Sequence, residues 1–248
     1  CHRVAVKGLA LCSADAFATP LGQVPIDSFL RDSVIDFPQV EIFDATHKME
    51  HSLEVHLPFL QRALEDFTLL PIVVGHASPL SIAEVLNHVW GGPETLIVVS
   101  SDLSHFLDYD SARKIDTLTS AAIQNLTPSQ ITGEAACGRF PVGGLLVAAK
   151  TRQMIVENVD LRNSGDTAGS RDKVVGYGSW LFFEPNPSTL MKNAAHTAIS
   201  KRHLNKDKTV AINETAFEQK TKILLDNYGL SLIDAAVTSI DHGLKYGR

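Results

Sequence analysis

The chain has 248 residues, of which 44% are hydrophobic and 20% charged, enough to bury the core of one domain or slightly more. Its 28 acidic and 22 basic residues give a net charge of −6, whereas a protein that follows nucleic-acid phosphates normally carries a basic excess. No apolar run approaches the ~20 residues of a membrane-spanning helix, and three cysteines are an odd count that argues against a disulfide framework. We therefore expect a soluble, cytoplasmic α/β protein that binds neither nucleic acid nor a membrane.

The predicted elements alternate between strands and helices along the first three quarters of the chain. Residues 1–27 combine alternating apolar positions with turn signals, which is typical of short strands. Leucines spaced by four, three and four residues between positions 53 and 64 mark one helix face, and Pro58 fits best in the first turn of a helix that begins near Leu57. The other predicted elements are strands at 67–75, 95–100 and 174–183 and helices at 81–89, 111–126 and 141–156.

This alternation predicts a layered α/β sandwich over residues 1–184, with a central, mostly parallel or mixed sheet flanked by helices. Residues 185–227, which include prolines and a lysine-rich patch, are predicted to be a linker with some helix. Residues 228–248 carry an apolar helix pattern and are predicted to be the first helix of a truncated following domain. Because the chain begins at Cys1 with a sequence typical of ordered protein, we expect that it is N-terminally truncated as well.

The segment Ser-Ser-Asp-Leu-Ser-His at 100–105 is the most informative for function. It follows the predicted buried strand at 95–100, and open α/β sheets bind their ligands at the carboxyl ends of such strands. Asp102 and His105 are the side chains there that could coordinate a metal or move protons. The alternative is a capping aspartate and a surface histidine, and we favour the functional interpretation.

Three other residues carry side chains of chemical interest. His51 lies about 160° around a helix from Leu53, so that it faces solvent or a cleft, and His56, five residues further on, does not share its helix face. Cys137 comes just before a predicted helix, whose positive end favours a thiolate, although an inert buried cysteine is the slightly favoured alternative. His2 alone indicates nothing.

Taken in order, six segments resemble the Memo family, the B component of the AmmeMemoRadiSam system, over about residues 1–184. The segments are Cys-His at 1–2, Ala-Asp-Ala-Phe-Ala-Thr-Pro-Leu-Gly at 14–22, Glu-His-Ser-Leu-Glu-Val-His-Leu-Pro at 50–58, Ser-Ser-Asp-Leu-Ser-His at 100–105, Cys-Gly-Arg at 137–139 and Asn-Ser-Gly-Asp at 163–166. Cys1 departs from the serine that the family has at that position. The resemblance implies the α/β fold of class III extradiol dioxygenases of the LigB type, in which loops at one edge of a sheet hold a mononuclear non-haem iron.

The resemblance also implies a metal site. The family's ligands are two histidines and a cysteine; His2 and Cys137 match two of them, and the other histidine lies in an upstream Pro-His-Ala-Gly element that this chain lacks. His51, Asp102 and His105 match the remaining polar residues of the pocket, and His105 corresponds to the acid/base histidine of the dioxygenases. We therefore expect His2 and Cys137 to bind a divalent or reduced transition metal, Fe2+ ahead of Cu or Zn, with His105 and Asp102 catalytic and His51 substrate-binding.

The leading functional hypothesis is a metal-binding redox enzyme that acts on an unknown small molecule or peptide. Because a cysteine replaces the carboxylate ligand of the dioxygenases, ring cleavage does not follow from the fold. One alternative is a non-catalytic binding or signalling protein that uses the pocket for a peptide or partner, and a weaker one is zinc-assisted hydrolysis. The C-terminal end resembles the start of the AmmeMemoRadiSam A component, so the A and radical-SAM components are the expected protein partners.

Overall fold

The computed structural model describes residues 4–48, 50–167 and 169–185. The linker predicted beyond Pro185, the helix predicted at 228–248 and His2 lie outside the described residues. In chain order the elements are β1 (Leu9–Leu11), β2 (Ala16–Thr19), β3 (Gly22–Pro25), α1 (Ser28–Val34), β4 (Val40–Ile42), α2 (Asp44–His47), α3 (Leu57–Ala63), β5 (Val73–Val74), α4 (Pro79–His88), β6 (His105–Leu107), α5 (Tyr109–Gln124), α6 (Arg139–Thr151), β7 (Ile155–Asn163) and β8 (Val174–Phe183).

The described strands form three small sheets. In the first, β1 lies between β4, which runs parallel to it, and β5, which runs antiparallel. The second sheet is the β2–β3 hairpin, and in the third β8 lies between β6 and β7, both antiparallel to it. The predicted α/β class is therefore confirmed, but the described strands do not form the one continuous central sheet that we expected.

Strand β1 is buried on both faces. Leu9 and Leu11 point to one side, where they pack in a hydrophobic cluster with Ile82 and Val85 of α4. Ala10 points to the other side and belongs to a second, smaller cluster. This follows from the two-residue period of a strand, which sends successive side chains to opposite faces.

Helices α5 and α6 pack on the third sheet. Ile123 of α5 and Leu146 of α6 are buried against Trp180 and Phe182 of β8. The Trp180 indole N–H donates a hydrogen bond to the Ser120 Oγ of α5 at 3.2 Å, so the polar edge of this large ring is paired. The apolar faces of the two helices therefore form the core of this half of the molecule.

Helices α4 and α6 lie directly against each other. They join the two halves of the described fold, one built around the sheet of β1 and the other around the sheet of β8. A Cβ atom added to Gly144 of α6 would lie only 2.2 Å from Ile82 Cγ2, whereas the nearest heavy atom to one on Gly143 would be 3.4 Å away. Phe140 packs against the cluster around β1, and Leu146 belongs to the cluster on the third sheet. Helix α6 is thus shared by both halves, and the glycine at 144 permits its close approach to α4.

Residues 95–100 differ most from the prediction. They are not a strand, and residues 96–100 form no backbone–backbone hydrogen bond within the part of the chain that the structure describes. Leu96 and Val98 are 65% and 45% exposed, so the expected burial on both faces is wrong for this segment. A run of β-branched residues favours extended backbone, but a strand also needs a neighbour to pair with.

Other boundaries differ less. The predicted strand at 67–75 is reduced to the two residues of β5, and the predicted helix at 141–156 ends at Thr151. Gln153, with a φ of 56°, takes a left-handed conformation after α6, and the chain then enters β7 at Ile155. The helix start at Leu57 and the strand at 174–183 are confirmed. Among the described residues, no helix is long and apolar enough to cross a membrane.

His47 of α2 gives the fold an expected sensitivity to acid. Its Nε2 lies 3.0 Å from the Ala10 carbonyl oxygen, and its buried Nδ1 has no hydrogen-bond partner among the described residues. Burial lowers the pKa of His47 below its ordinary 6.5, against the opposing effects of the Ala10 carbonyl and the nearby carboxylates. Just below that pH the unfolded chain therefore binds more protons than the folded chain, and stability decreases as the pH falls through 6.5.

We expect the free energy of unfolding, measured by urea titration, to fall as the pH is lowered from about 7.5 to about 5.5. His47→Gln, which keeps a donor for Ala10 but cannot be protonated, should flatten that fall. His88→Gln, at an exposed histidine, is the matched control and should leave the pH dependence unchanged. An equally steep fall in His47→Gln would contradict the assignment.

Candidate metal centre

Asp102, His105 and Cys137 come together at one place in the structure. One ligand atom from each, a carboxylate oxygen, a ring nitrogen and the Sγ, lies within 4.8 Å of the other two. Asp102 Oδ2 and His105 Nε2 are 3.6 Å apart, which is long for a hydrogen bond. It is the separation expected between two ligands of one ion whose bonds are each ~2.0–2.3 Å long. The three donors therefore fit around a single metal ion.

Cys137 is placed by its position just before α6. Its Sγ accepts a hydrogen bond from the Asp102 backbone N–H at 3.3 Å, and its own N–H donates to the Asp102 carbonyl oxygen at 3.2 Å. The Asp102 N–H thus points at the sulfur atom that would bind a metal as a thiolate. By contrast Cys12 is buried, and burial raises the pKa of its thiol. Of these two cysteines, Cys137 has the surroundings of a ligand.

Ser101 ties the loop before Asp102 to the start of α6. Its Oγ donates to the Asp102 carbonyl oxygen at 2.7 Å and accepts from the Gly138 N–H at 2.9 Å. A Cβ atom on Gly138 would lie 2.6 Å from Ser101 Cβ and 2.8 Å from the Ser100 carbonyl oxygen. A side chain at 138 would therefore push the loop away from the helix and change the distance between Cys137 and Asp102.

The loop that carries Asp102 and His105 is held by β8 and α5. Leu103 N–H donates to the Gly176 carbonyl oxygen at 2.9 Å, and Gly176 N–H donates to the Ser104 carbonyl oxygen at 2.8 Å. From α5, the buried Asp116 accepts hydrogen bonds from the Ser104 N–H and Oγ. Burial raises the pKa of Asp116, and these bonds oppose the rise. Hydrogen bonds with β8 and α5 therefore hold the backbone just before His105 in place.

Two further titratable side chains, His56 and Tyr177, lie close enough to Asp102 to respond to its charge. Burial lowers the pKa of His56, and the Asp102 charge opposes this; burial raises the pKa of Tyr177, and the same charge adds to it. If residues 51–56 were helical, His56 would not share a face with His51. That reasoning does not apply, since residues 52–56 form turns and α3 begins only at Leu57. Tyr177 carries no sequence signal of its own.

Of the remaining predicted site residues, the one that the structure describes, His51, is not part of the three-residue group. His51 is exposed, and its backbone N–H donates a hydrogen bond to Glu50 Oε1 at 2.9 Å. His2 lies outside the described residues. The structure thus brings together Asp102, His105 and Cys137, and the separate roles assigned to the predicted residues stay predictions.

An α/β fold that brings a cysteine sulfur, an imidazole and a carboxylate close together defines a class of protein with a candidate transition-metal centre. This mixed set of sulfur, nitrogen and oxygen donors suits Fe2+, Zn2+ or copper better than Mg2+ or Ca2+. The family model described as Memo-like protein matches residues 1–181 of the chain. The chain therefore belongs to the Memo family.

Several prokaryotic relatives carry the name MEMO1 family protein. The one from Aquifex aeolicus is 36% identical over 190 residues, which cover 71% of this chain and 70% of the relative. The relative from Methanobrevibacter smithii is 32% identical over 177 residues, covering 66% and 63%, and that from Methanosarcina mazei is 33% identical over 183 residues, covering 67% of each. The chain thus spans about two thirds of the length of these relatives.

Proposed function

We propose that the chain binds a transition metal at the site formed around Asp102, His105 and Cys137, and that it is a non-haem-metal redox enzyme of the Memo family. The observation that carries the proposal is that the Cys137 sulfur, the proposed ligand, lies within 4.8 Å of the Asp102 carboxylate and the His105 ring nitrogen. Fe2+ is the proposed metal, ahead of Cu or Zn. The resemblance supports two further parts of the proposal, which are His2 as a second ligand and a LigB-type dioxygenase fold.

In this proposal Cys137 and His2 hold the metal, which when bound would supply redox chemistry and stabilise developing negative charge. His105 is the proton-transfer group, because its ring is 33% exposed and is therefore open to substrate. Asp102, 50% exposed with its Oδ2 3.6 Å from His105 Nε2, stabilises the protonated ring after it has taken up a proton. His51 is proposed to contact the substrate, a small molecule or a peptide.

The proposal is tested by purifying the full chain without oxygen, measuring its metal content and then recording oxygen uptake with catechol-like and peptide substrates. We expect stoichiometric metal and uptake with at least one substrate class. Stoichiometric metal with no uptake on any substrate would favour a binding or signalling role. Absence of bound Fe, Cu and Zn would overturn the proposal as a whole.

His105→Gln separates the proton-transfer role from a ligand role. We expect this variant to keep its metal while turnover of the accepted substrate falls by roughly 10²–10⁴-fold, the usual contribution of a general acid or base. His88→Gln should change neither quantity. Loss of the metal from His105→Gln would show that His105 is a ligand and contradict the assigned role.

A further inference from the structure

A second polar cavity lies between the first turns of α5 and the end of β7. Its volume is about 330 Å³, within the usual size range of small-molecule sites. The side chains that decide its chemistry are Tyr109, Arg113 and Asp116 from α5, and Asp160, Arg162 and Asp166 from β7 and the turn after it. The cavity contains none of the residues of the candidate metal centre.

Asp166 is already satisfied by groups of the chain itself. Its Oδ1 accepts from the Tyr109 hydroxyl at 2.5 Å, and its Oδ2 accepts from the Asn163 N–H at 2.9 Å. Burial alone would raise the pKa of Asp166, but these two bonds and the charges of Arg113 and Arg171 lower it overall. Asp166 is therefore an ionised, partnered group.

The other two carboxylates are also engaged. Asp160 forms an ion pair with the Nε of Arg162, and Asp116 accepts both hydrogen bonds of Ser104. Each of the three carboxylates thus has partners within the chain and does not need a cation for compensation. The cavity differs in this respect from an acidic cluster, where several carboxylates repel one another.

The arginine donors, by contrast, are largely unused. Arg113 lies 5.8 Å from the centre of the Tyr109 ring, and within the described ranges its guanidinium makes no hydrogen bond or ion pair. Arg162 uses its Nε for Asp160, which leaves both of its Nη groups. A guanidinium carries five N–H donors and no acceptor, so the unused hydrogen-bonding capacity of the cavity is strongly biased toward donors.

We propose that this cavity binds a small oxyanion, a carboxylate or a phosphate group, through Arg113 and Arg162. The planar guanidinium fork matches both anions with paired hydrogen bonds. The Tyr109 ring, whose centre lies 5.8 Å from the Arg113 guanidinium carbon, forms the wall beside it. Binding here does not require the metal, so this inference is independent of the proposed function.

The test is calorimetric titration of the full chain at constant ionic strength, with inorganic phosphate in one series and succinate in the other. We expect saturable binding of at least one probe, and the tighter of the two identifies the ligand as a phosphate or a carboxylate. Arg113→Gln should weaken it by about 10–100-fold, the range for a lost charge-assisted hydrogen bond, and Arg113→Lys should weaken it less because the charge remains.

Arg152→Gln is the matched control, because this arginine pairs with Glu184 and lies over Trp90, away from the cavity. It should leave the affinity unchanged, and the melting temperatures of all variants show that each is folded. No saturation with either probe up to about 10 mM, which corresponds to less than ~2.7 kcal/mol of binding free energy, would overturn the inference. An equal loss in Arg152→Gln and Arg113→Gln would overturn it too, since general charge attraction would then explain the binding.

Discussion

Cys137→Ala is expected to remove the bound metal. A cysteine sulfur is the strongest donor of the proposed site, and the Asp102 N–H already donates a hydrogen bond to it. Residues that only support a ligand typically cost 10–100-fold in metal affinity when replaced, so the loss of the ligand itself should exceed about 100-fold. The measurement is the metal content of the anaerobically purified variant after dialysis against metal-free buffer.

Cys12→Ala is the matched control for this experiment. It removes the other cysteine of the described region, which is 3% exposed and lies outside the three-residue group. The control should keep its full metal content, although the cavity that it creates will lower the melting temperature slightly. Equal metal content in Cys137→Ala and wild type would rule out Cys137 as a ligand.

Gly144→Ala is expected to be the most destabilising of the conservative changes considered for α6. The added Cβ would lie 2.2 Å from Ile82 Cγ2 and 2.5 Å from Ile82 Cβ, so α4 and α6 must move apart. Overpacking of this kind costs about 1–3 kcal/mol or somewhat more, against a gain of about 1 kcal/mol from replacing glycine in a helix. We expect a net loss of about 2 kcal/mol in the free energy of unfolding, measured by urea titration.

Gly143→Ala, one residue earlier on the same helix, tests whether the contact is the cause. Its Cβ would meet Pro79 at 3.4 Å, which is close to ordinary contact. The gain in helix propensity should therefore prevail, and the variant should be as stable as the wild type or up to about 1 kcal/mol more stable. A similar loss in both variants would mean that the close approach of Gly144 to Ile82 is not what matters.

The parts of the fold that could be predicted are those fixed by local sequence. The helix start at Leu57 and the strand Val174–Phe183 follow from leucine spacing, a proline and a continuous run of strand-forming residues. The segment at 95–100 has an equally clear pattern, yet it is not a strand in the described part of the chain. Pairing depends on what lies beside a segment in space, and residue patterns do not contain that information.

The candidate metal centre likewise combines features that local sequence predicts with features that depend on neighbours in space. Asp102 and His105 lie 3.6 Å apart, but residues 95–100 are not a strand, so the strand end from which the sequence predicts their placement is absent. Their loop is held instead by hydrogen bonds with Gly176 and by hydrogen bonds that Ser104 donates to Asp116, both more than ten residues away in sequence. Likewise, only the family resemblance predicts that Cys137 lies near Asp102 and His105, because no spacing rule links residues so far apart in sequence.

The sharing of α6 between the two hydrophobic clusters has a consequence for thermal behaviour. Cys137 lies just before this helix, and its N–H donates to the Asp102 carbonyl oxygen, next to Leu103, whose N–H donates to Gly176 of β8, so a metal bound at Cys137 stabilises the junction between the helix and this sheet. By mass action, a ligand that binds only the folded chain adds about 2.7 kcal/mol of stability at a hundredfold excess over its dissociation constant. A chelator should accordingly weaken both halves together, and the holoprotein should melt as a single cooperative unit.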